Sequence, residues 1–194
     1  MIIVGVGAGP GLLTAEAAEV IAGAHLVYGS ARAIALARDA IPPACTVVEI
    51  TDYRRLRDIP DDAVVLSTGD PLCAGLGFLP GRVIPGISSL QLAAARLRIP
   101  WTDLWAVSAH GGDHGRAIEE AAAVCRDGRV AAVLADPAFS IPDLAGALTD
   151  IGDCRLVVCE RLGYDDERIA RGTPADPPIP RGDLYVVIAG RVPR

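Results

Sequence analysis

Ala63-Val-Val-Leu-Ser-Thr-Gly-Asp-Pro71 and Arg82-Val-Ile-Pro-Gly-Ile-Ser-Ser-Leu-Gln-Leu-Ala-Ala-Ala-Arg-Leu97 end their apolar runs in the same way. Each run is short, branched and apolar, as a buried parallel strand is. Each then delivers glycine, proline and small polar residues. The second passes directly into a helical pattern over Leu90–Leu97. In open α/β sheets the carboxyl edge of the strands is where ligands bind. Glycine lets backbone approach a ligand closely, and serine hydroxyls and one carboxylate can orient it.

The same alternation extends outward from this stretch. Strands are expected at Ile2–Val6, Leu26–Tyr28, Thr46–Ile50, Ala63–Ser67 and Val83–Ile84, with helices at Leu12–Ala22, Ala31–Asp39 and Leu90–Leu97. Ile99-Pro-Trp-Thr-Asp103 has turn chemistry, and the pattern restarts after it. There, strands Leu104–Ser108, Val130–Leu134 and Leu156–Cys159 alternate with helices Arg116–Cys125 and Pro142–Thr149. Glu167–Ala170 and Leu184–Ala189 flank a proline-rich loop, Thr173–Pro180, with no helix between them, so part of this second sheet should be antiparallel. The expected fold class is α/β: two small domains with mostly parallel sheets, 1–100 and 101–194.

Composition narrows the function. The chain has 194 residues, 51% hydrophobic and 22% charged, which fits a globular protein. No apolar run reaches the roughly 18 residues of a membrane span, and no signal peptide is expected at the start, so a cytoplasmic protein without membrane contact is expected. All 18 basic residues are arginine and the net charge is −6, with no basic stripe. Nucleic acid is therefore a poor partner. Five cysteines without a C-x-x-C pattern fit free thiols better than disulfides or a zinc site.

Several motifs have competing readings. Gly5-Val-Gly-Ala-Gly-Pro-Gly11 follows the first strand, but G-x-G-x-x-G fails on Pro10 or on Leu12, and the next strand ends in Tyr28-Gly-Ser30 without an acidic residue. A tight turn facing a ligand suits it better than dinucleotide binding. His110-Gly-Gly-Asp-His114 has the spacing of a histidine pair, but two glycines argue for a loop near a cleft, so no metal is assigned. Glu160 and Arg161 follow a strand as a local ion pair or as lining of the site.

Together these residues resemble a family. Gly7-Ala-Gly-Pro-Gly-Leu-Leu-Thr14, Leu66-Ser-Thr-Gly-Asp-Pro-Leu72 and Ile84-Pro-Gly-Ile-Ser-Ser-Leu-Gln91 resemble the tetrapyrrole methylases. Val27-Tyr-Gly-Ser-Ala-Arg32, Val107-Ser-Ala-His-Gly111 and Val158-Cys-Glu-Arg-Leu-Gly-Tyr-Asp-Asp-Glu-Arg168 resemble the members that methylate carbon 5 of a cobalt-precorrin in cobalamin biosynthesis. The resemblance implies a homodimer, S-adenosylmethionine in a cleft between the domains, and a reduced corrinoid as the small-molecule substrate. It implies cofactor contacts from Pro10, Gly69, Asp70, Cys73, Ser88 and Ser89, completed by Ala135 and Leu162. Acceptor contacts fall to Ser30, Arg32, His110 and Arg161; guanidinium groups suit the substrate's carboxylates, and no acid–base pair is assigned. In some relatives a carbon 15 methyltransferase domain follows this one, so that decarboxylating activity is expected on a separate partner. Alternatives are a relative with another acceptor, or a non-catalytic corrinoid-binding subunit.

Three departures from the family pattern stand out. Pro10-Gly-Leu12 lacks inserted residues, the link between the two loops is cut to Gly75–Gly81, and the loop after His110 is longer.

Overall fold

The structure, a computed structural model, describes residues 1–193. Its chain divides into two compact units, Met1–Ser89 and Leu90–Arg194. The division falls after the first residue of the helix over 89–97, whereas the proline-marked connector read from sequence lies beyond that helix.

The first unit is a five-stranded parallel sheet in the order β3-β2-β4-β1-β5. The strands are β1 (Ile2–Gly5), β2 (Leu26–Gly29), β3 (Thr46–Glu49), β4 (Val64–Ser67) and β5 (Arg82–Ile84). Strand alternation sends Val4, Val27, Val64, Leu66 and Ile84 to one face, where they pack with Ala17, Ile21, Ala33 and Ala37. These alanines and Ile21 lie on α1 (Ala15–Ala22) and α2 (Ala31–Ala37). Ile3 and Val65 point to the other face. It is covered not by a helix but by Leu56 and Ile59 from a 3₁₀ segment, Tyr53–Asp58, and its exit, and by Leu76 and Leu79 from the link before β5. That link contains no helix; it runs through turns from Pro71 to Gly81.

Helix α1 begins three residues later than its apolar spacing suggests. Thr14 is the N-cap, and its hydroxyl accepts from Ala17 N at 3.2 Å. The cap satisfies an end N–H that Leu12 and Leu13 could not, so those leucines stay in the loop. Ser30 caps α2 in the same way through Ala33 N, 3.2 Å.

The second unit begins with α3 (Ser89–Leu97), whose first residue is the last of the first unit. Its sheet has the order β6-β7-β10-β8-β9. The strands are β6 (Leu104–Ser108), β7 (Val130–Leu134), β8 (Arg155–Glu160), β9 (Arg168–Gly172) and β10 (Tyr185–Gly190). β6 and β7 are parallel, while β10 is antiparallel to β7 and β8, and β8 to β9. The chain reverses in the short loop 161–167 between β8 and β9, while β9 and β10 run in the same direction on either side of β8. Val107, Ala131, Val133, Leu156, Val158, Val187 and Ala189 form one core with Ala117, Ala121, Ile141 and Leu144. Those last four lie on α4 (His114–Arg126) and α5 (Ile141–Ala147). No helix among the described residues is long and apolar enough to cross a membrane.

Candidate functional site

Three loops leave the carboxyl edge of the first sheet, after β1, β4 and β5, and backbone hydrogen bonds lace them together. Gly69 N donates to Gly7 O at 2.8 Å, and Gly7 N to Gly69 O at 3.3 Å. Ala8 N donates to Ile87 O at 2.9 Å. Spacing this close leaves no room for side chains. A Cβ on Gly5 would lie 2.5 Å from Gly86 N and 2.7 Å from Gly69 O, and a Cβ on Gly86 would strike Gly69 O and lie 2.8 Å from Gly5 Cα. Gly69 also has φ +68°, which L side chains rarely adopt. The glycine-rich start of the chain is therefore a packing requirement of three neighbouring loops.

Asp70 ties the lacing to the β5 loop. Its Oδ1 accepts from Leu72 N at 2.9 Å and Cys73 N at 3.3 Å, and its Oδ2 accepts from Gly86 N at 3.1 Å. An ionised carboxylate is only an acceptor, and backbone N–H groups are what it can hold here. Burial, and then the neighbouring Asp70 charge, push the Cys73 thiol up, so it stays protonated and neutral. Ser88 is buried and linked to Cys73, and Ser89 opens α3. Pro10 is exposed at the tip of the first loop. Six of the expected cofactor residues, Pro10, Gly69, Asp70, Cys73, Ser88 and Ser89, thus belong to one strand edge or open the helix that follows it. A cavity of about 230 Å³ opens beside Tyr28, Ile50, Thr51 and Arg55, where β2 and β3 end.

The second unit builds its strand edge from side chains. Ala135 follows β7 and Leu162 follows β8; both are buried. Glu167 holds the Leu162 loop. Its Oε2 accepts from Gly163 N at 2.8 Å, and its Oε1 from Arg96 Nε on α3 at 2.7 Å. Burial pushes the Glu167 carboxyl up, but the bonds from Arg96 and Gly163 outweigh it and leave it below its ordinary value.

Glu160 and Arg161 do not pair with each other. Glu160 is only 4% exposed, pairs with Arg168, and accepts from Arg181 N at 2.5 Å and Gly182 N at 3.1 Å. Successive strand residues point to opposite faces, so adjacent charges at a strand end diverge. Arg161 has φ +49°, meets Asp166 at 2.5 Å and lies over the Tyr164 ring at 4.6 Å. Arg32 is exposed on the first turn of α2 and has no ion-pair partner among the described residues.

His110 is exposed on the loop after β6. Its neighbour four residues on is more constrained. Asp113 caps α4 through Arg116 N at 3.1 Å, which makes His114 the first helical residue. His114 Nε2 lies 2.9 Å from Asp136 Oδ2. The sequence reading placed His114 in a loop and passed over Asp136, since the two are far apart in the chain and no local pattern joins them.

Residues 1–178 match the family of tetrapyrrole (corrin/porphyrin) methylases. The chain belongs to that family. Among curated relatives of this chain, the probable cobalt-precorrin-7 C(5)-methyltransferase of Methanocaldococcus jannaschii is 33% identical over 129 residues, 57% of this chain and 61% of that protein. The precorrin-6Y C(5,15)-methyltransferase (decarboxylating) of a Sinorhizobium species is 32% identical over 173 residues, 79% of this chain. The match spans 40% of that longer protein, so the chain covers between two fifths and three fifths of these two relatives. Among solved structures, the cobalamin biosynthesis precorrin-6Y methylase of Archaeoglobus fulgidus superposes with TM-score 0.76 at 28% identity, covering 98% of this chain and 97% of that chain.

Proposed function

We propose that this chain is an S-adenosylmethionine-dependent methyltransferase acting on carbon 5 of a cobalt-precorrin or precorrin. The carrying observation is the laced edge of the first sheet: closely packed glycine backbone, hydroxyls and a fixed carboxylate. That donor set suits a nucleoside with hydroxyl, amine and amide-like groups better than it suits a metal. Backbone around Gly69 and Gly86, with Ser88 and Ser89, is assigned to the cofactor; Pro10 faces the methyl group, and Ala135 and Leu162 contribute from the second unit. When bound, the cofactor supplies a methyl group on a sulfonium already activated for transfer. The protein's task is then alignment and exclusion of water.

Asp70 acts by holding the Gly69 and Gly86 backbones at one spacing, and its own oxygens are already occupied by N–H groups. Arg32 is the first choice for a substrate carboxylate, because it is uncommitted, while Arg161 is engaged by Asp166 and Tyr164. Ser30 keeps its hydroxyl hydrogen for the acceptor while its oxygen caps α2. His110 lies exposed for the same acceptor. The chain works as a homodimer in the cytoplasm.

The test is incubation of the purified chain with methyl-labelled S-adenosylmethionine and cobalt-precorrin-7, followed by mass spectrometry and carbon NMR. One added methyl at carbon 5 is expected. No gain in mass, or a label on another carbon, overturns the reading.

A further inference from the structure

Methyl transfer to a macrocycle carbon releases a proton, and of the expected site residues only His110 carries an imidazole, with no carboxylate hydrogen-bonded to it among the described residues to orient it. The new carbon–carbon bond uses an electron pair of the macrocycle. The methyl–sulfur bond breaks with its pair left on sulfur. The methylated macrocycle then carries one positive charge, discharged when a C–H or N–H proton leaves and its bonding pair returns to the ring.

We propose that His114 accepts that proton, with Asp136 as the residue that positions it. The inference rests on the methyl-transfer reading above. Three features of the second unit support it. First, Asp136 is fixed on both oxygens: Oδ1 accepts from Ala138 N at 2.9 Å, and Oδ2 meets His114 Nε2 at 2.9 Å. Its backbone carbonyl accepts from Tyr185 Oη at 3.1 Å and from Phe139 N at 3.0 Å. The His114 bond first, and the Ala138 N–H after it, outweigh burial and hold the Asp136 carboxyl below its ordinary range.

Second, that ionised carboxylate can only accept, so the hydrogen sits on Nε2 and Nδ1 is left as the basic nitrogen. Nδ1 has no hydrogen-bond partner among the described residues. A carboxylate that orients one imidazole nitrogen so that the other can take a proton is the arrangement general-base catalysis uses. Third, the pair is sheltered without being sealed. The side chains are 23% and 25% exposed, and the Phe139 ring meets the imidazole edge-on at 5.6 Å. Asp136 directly follows Ala135, which is assigned to the cofactor, and both lie where β7 ends. The titratable groups around the pair are His110 from the β6 loop and Tyr185 from β10; Asp113 precedes His114 on its own helix.

The test compares wild type, His114→Gln, His114→Ala and Asp136→Asn. Calorimetric titration with S-adenosylhomocysteine checks folding and cofactor binding, and all four are expected to bind alike. Loss of a general base costs on the order of 100-fold in kcat. His114→Gln should show that loss with KM unchanged and without the acid limb of the wild-type pH profile. Added imidazole should restore part of the His114→Ala rate. Nitrogen NMR of the free wild-type protein should show the Nε2–H tautomer at His114, and Asp136→Asn should lose that preference. A wild-type rate and pH profile in His114→Gln, or an Nδ1–H tautomer, overturns the proton-acceptor role alone. No methyl transfer by wild type, with intact cofactor binding, overturns the functional reading and this inference with it.

Discussion

The two units build their strand edges by opposite means. In the first, main chain meets main chain: Gly7 and Gly69 exchange two hydrogen bonds, and Gly5 and Gly86 are too close to carry a Cβ. In the second, side chains bridge loops of ordinary spacing. Glu160 holds the loop before β10, Glu167 holds the Leu162 loop, and Asp136 holds His114. A backbone-built edge is indifferent to chemistry and intolerant of volume. A side-chain-built edge tolerates volume and depends on charge state, so it responds to pH.

Substitutions can separate the two modes. Gly86→Ala should have the largest effect, because its methyl meets Gly69 O and no flexible side chain can yield. Overpacking of this kind costs about 3 kcal/mol or more, read as a lowered denaturation midpoint in urea. A loss below 1 kcal/mol would show that the lacing is looser than described. Glu160→Gln keeps volume and removes charge. It should lose about 2 kcal/mol, since charge-assisted bonds to Arg168 and two backbone N–H groups weaken together. An unchanged midpoint there would remove the contrast between the units.

Asp70→Ala lies between the two modes, as the one side chain in the backbone-built edge. Release of three N–H groups, one exposed and two part-buried, should cost about 1 kcal/mol while the fold survives. S-adenosylhomocysteine affinity should fall at least about tenfold, a difference of about 1.4 kcal/mol. Unaltered affinity in calorimetry would detach Asp70 from the cofactor.

The smallest effect is a pH term. Glu167 is held below its ordinary value, so the stability it contributes is present above the unfolded carboxylate range and is lost as pH falls through the lower folded value. Glu167→Gln should cost about 1 kcal/mol at pH 7 and nothing well below pH 4, measured by thermal melts across that range. A difference that persists at low pH would mean the loop is held by packing instead.

Much of this was legible in the chain because it is local. Strand runs and the small residues after them follow from short, branched apolar segments; the antiparallel tail was expected from the helix-free Thr173–Pro180 loop, but its reversal lies in the 161–167 loop instead. The helix starts at Thr14 and Asp113 were misplaced by a few residues, because apolar spacing says where a helix packs while capping says where it begins. What stayed hidden is non-local. Nothing near Gly5 says that Gly86 will lie against it. Nothing near Glu160 chooses Arg168 over the adjacent Arg161, and nothing near His114 announces Asp136. The glycine-rich start looked like nucleotide chemistry because close approach to a ligand and close approach to another loop call for the same residue.

The lacing also bears on how the first unit is made. β1 is an interior strand, flanked by β4 and β5, the last two strands of its sheet in chain order. During vectorial synthesis both its edges stay open until residues 64–67 emerge and one until residues 82–84 do, and Gly5 finds Gly86 only after that. Loop closure over nearly the whole unit makes this a slow, late step, with an apolar strand exposed to other chains meanwhile. The feature that laces the first unit's strand edge is thus also a point of vulnerability on the ribosome.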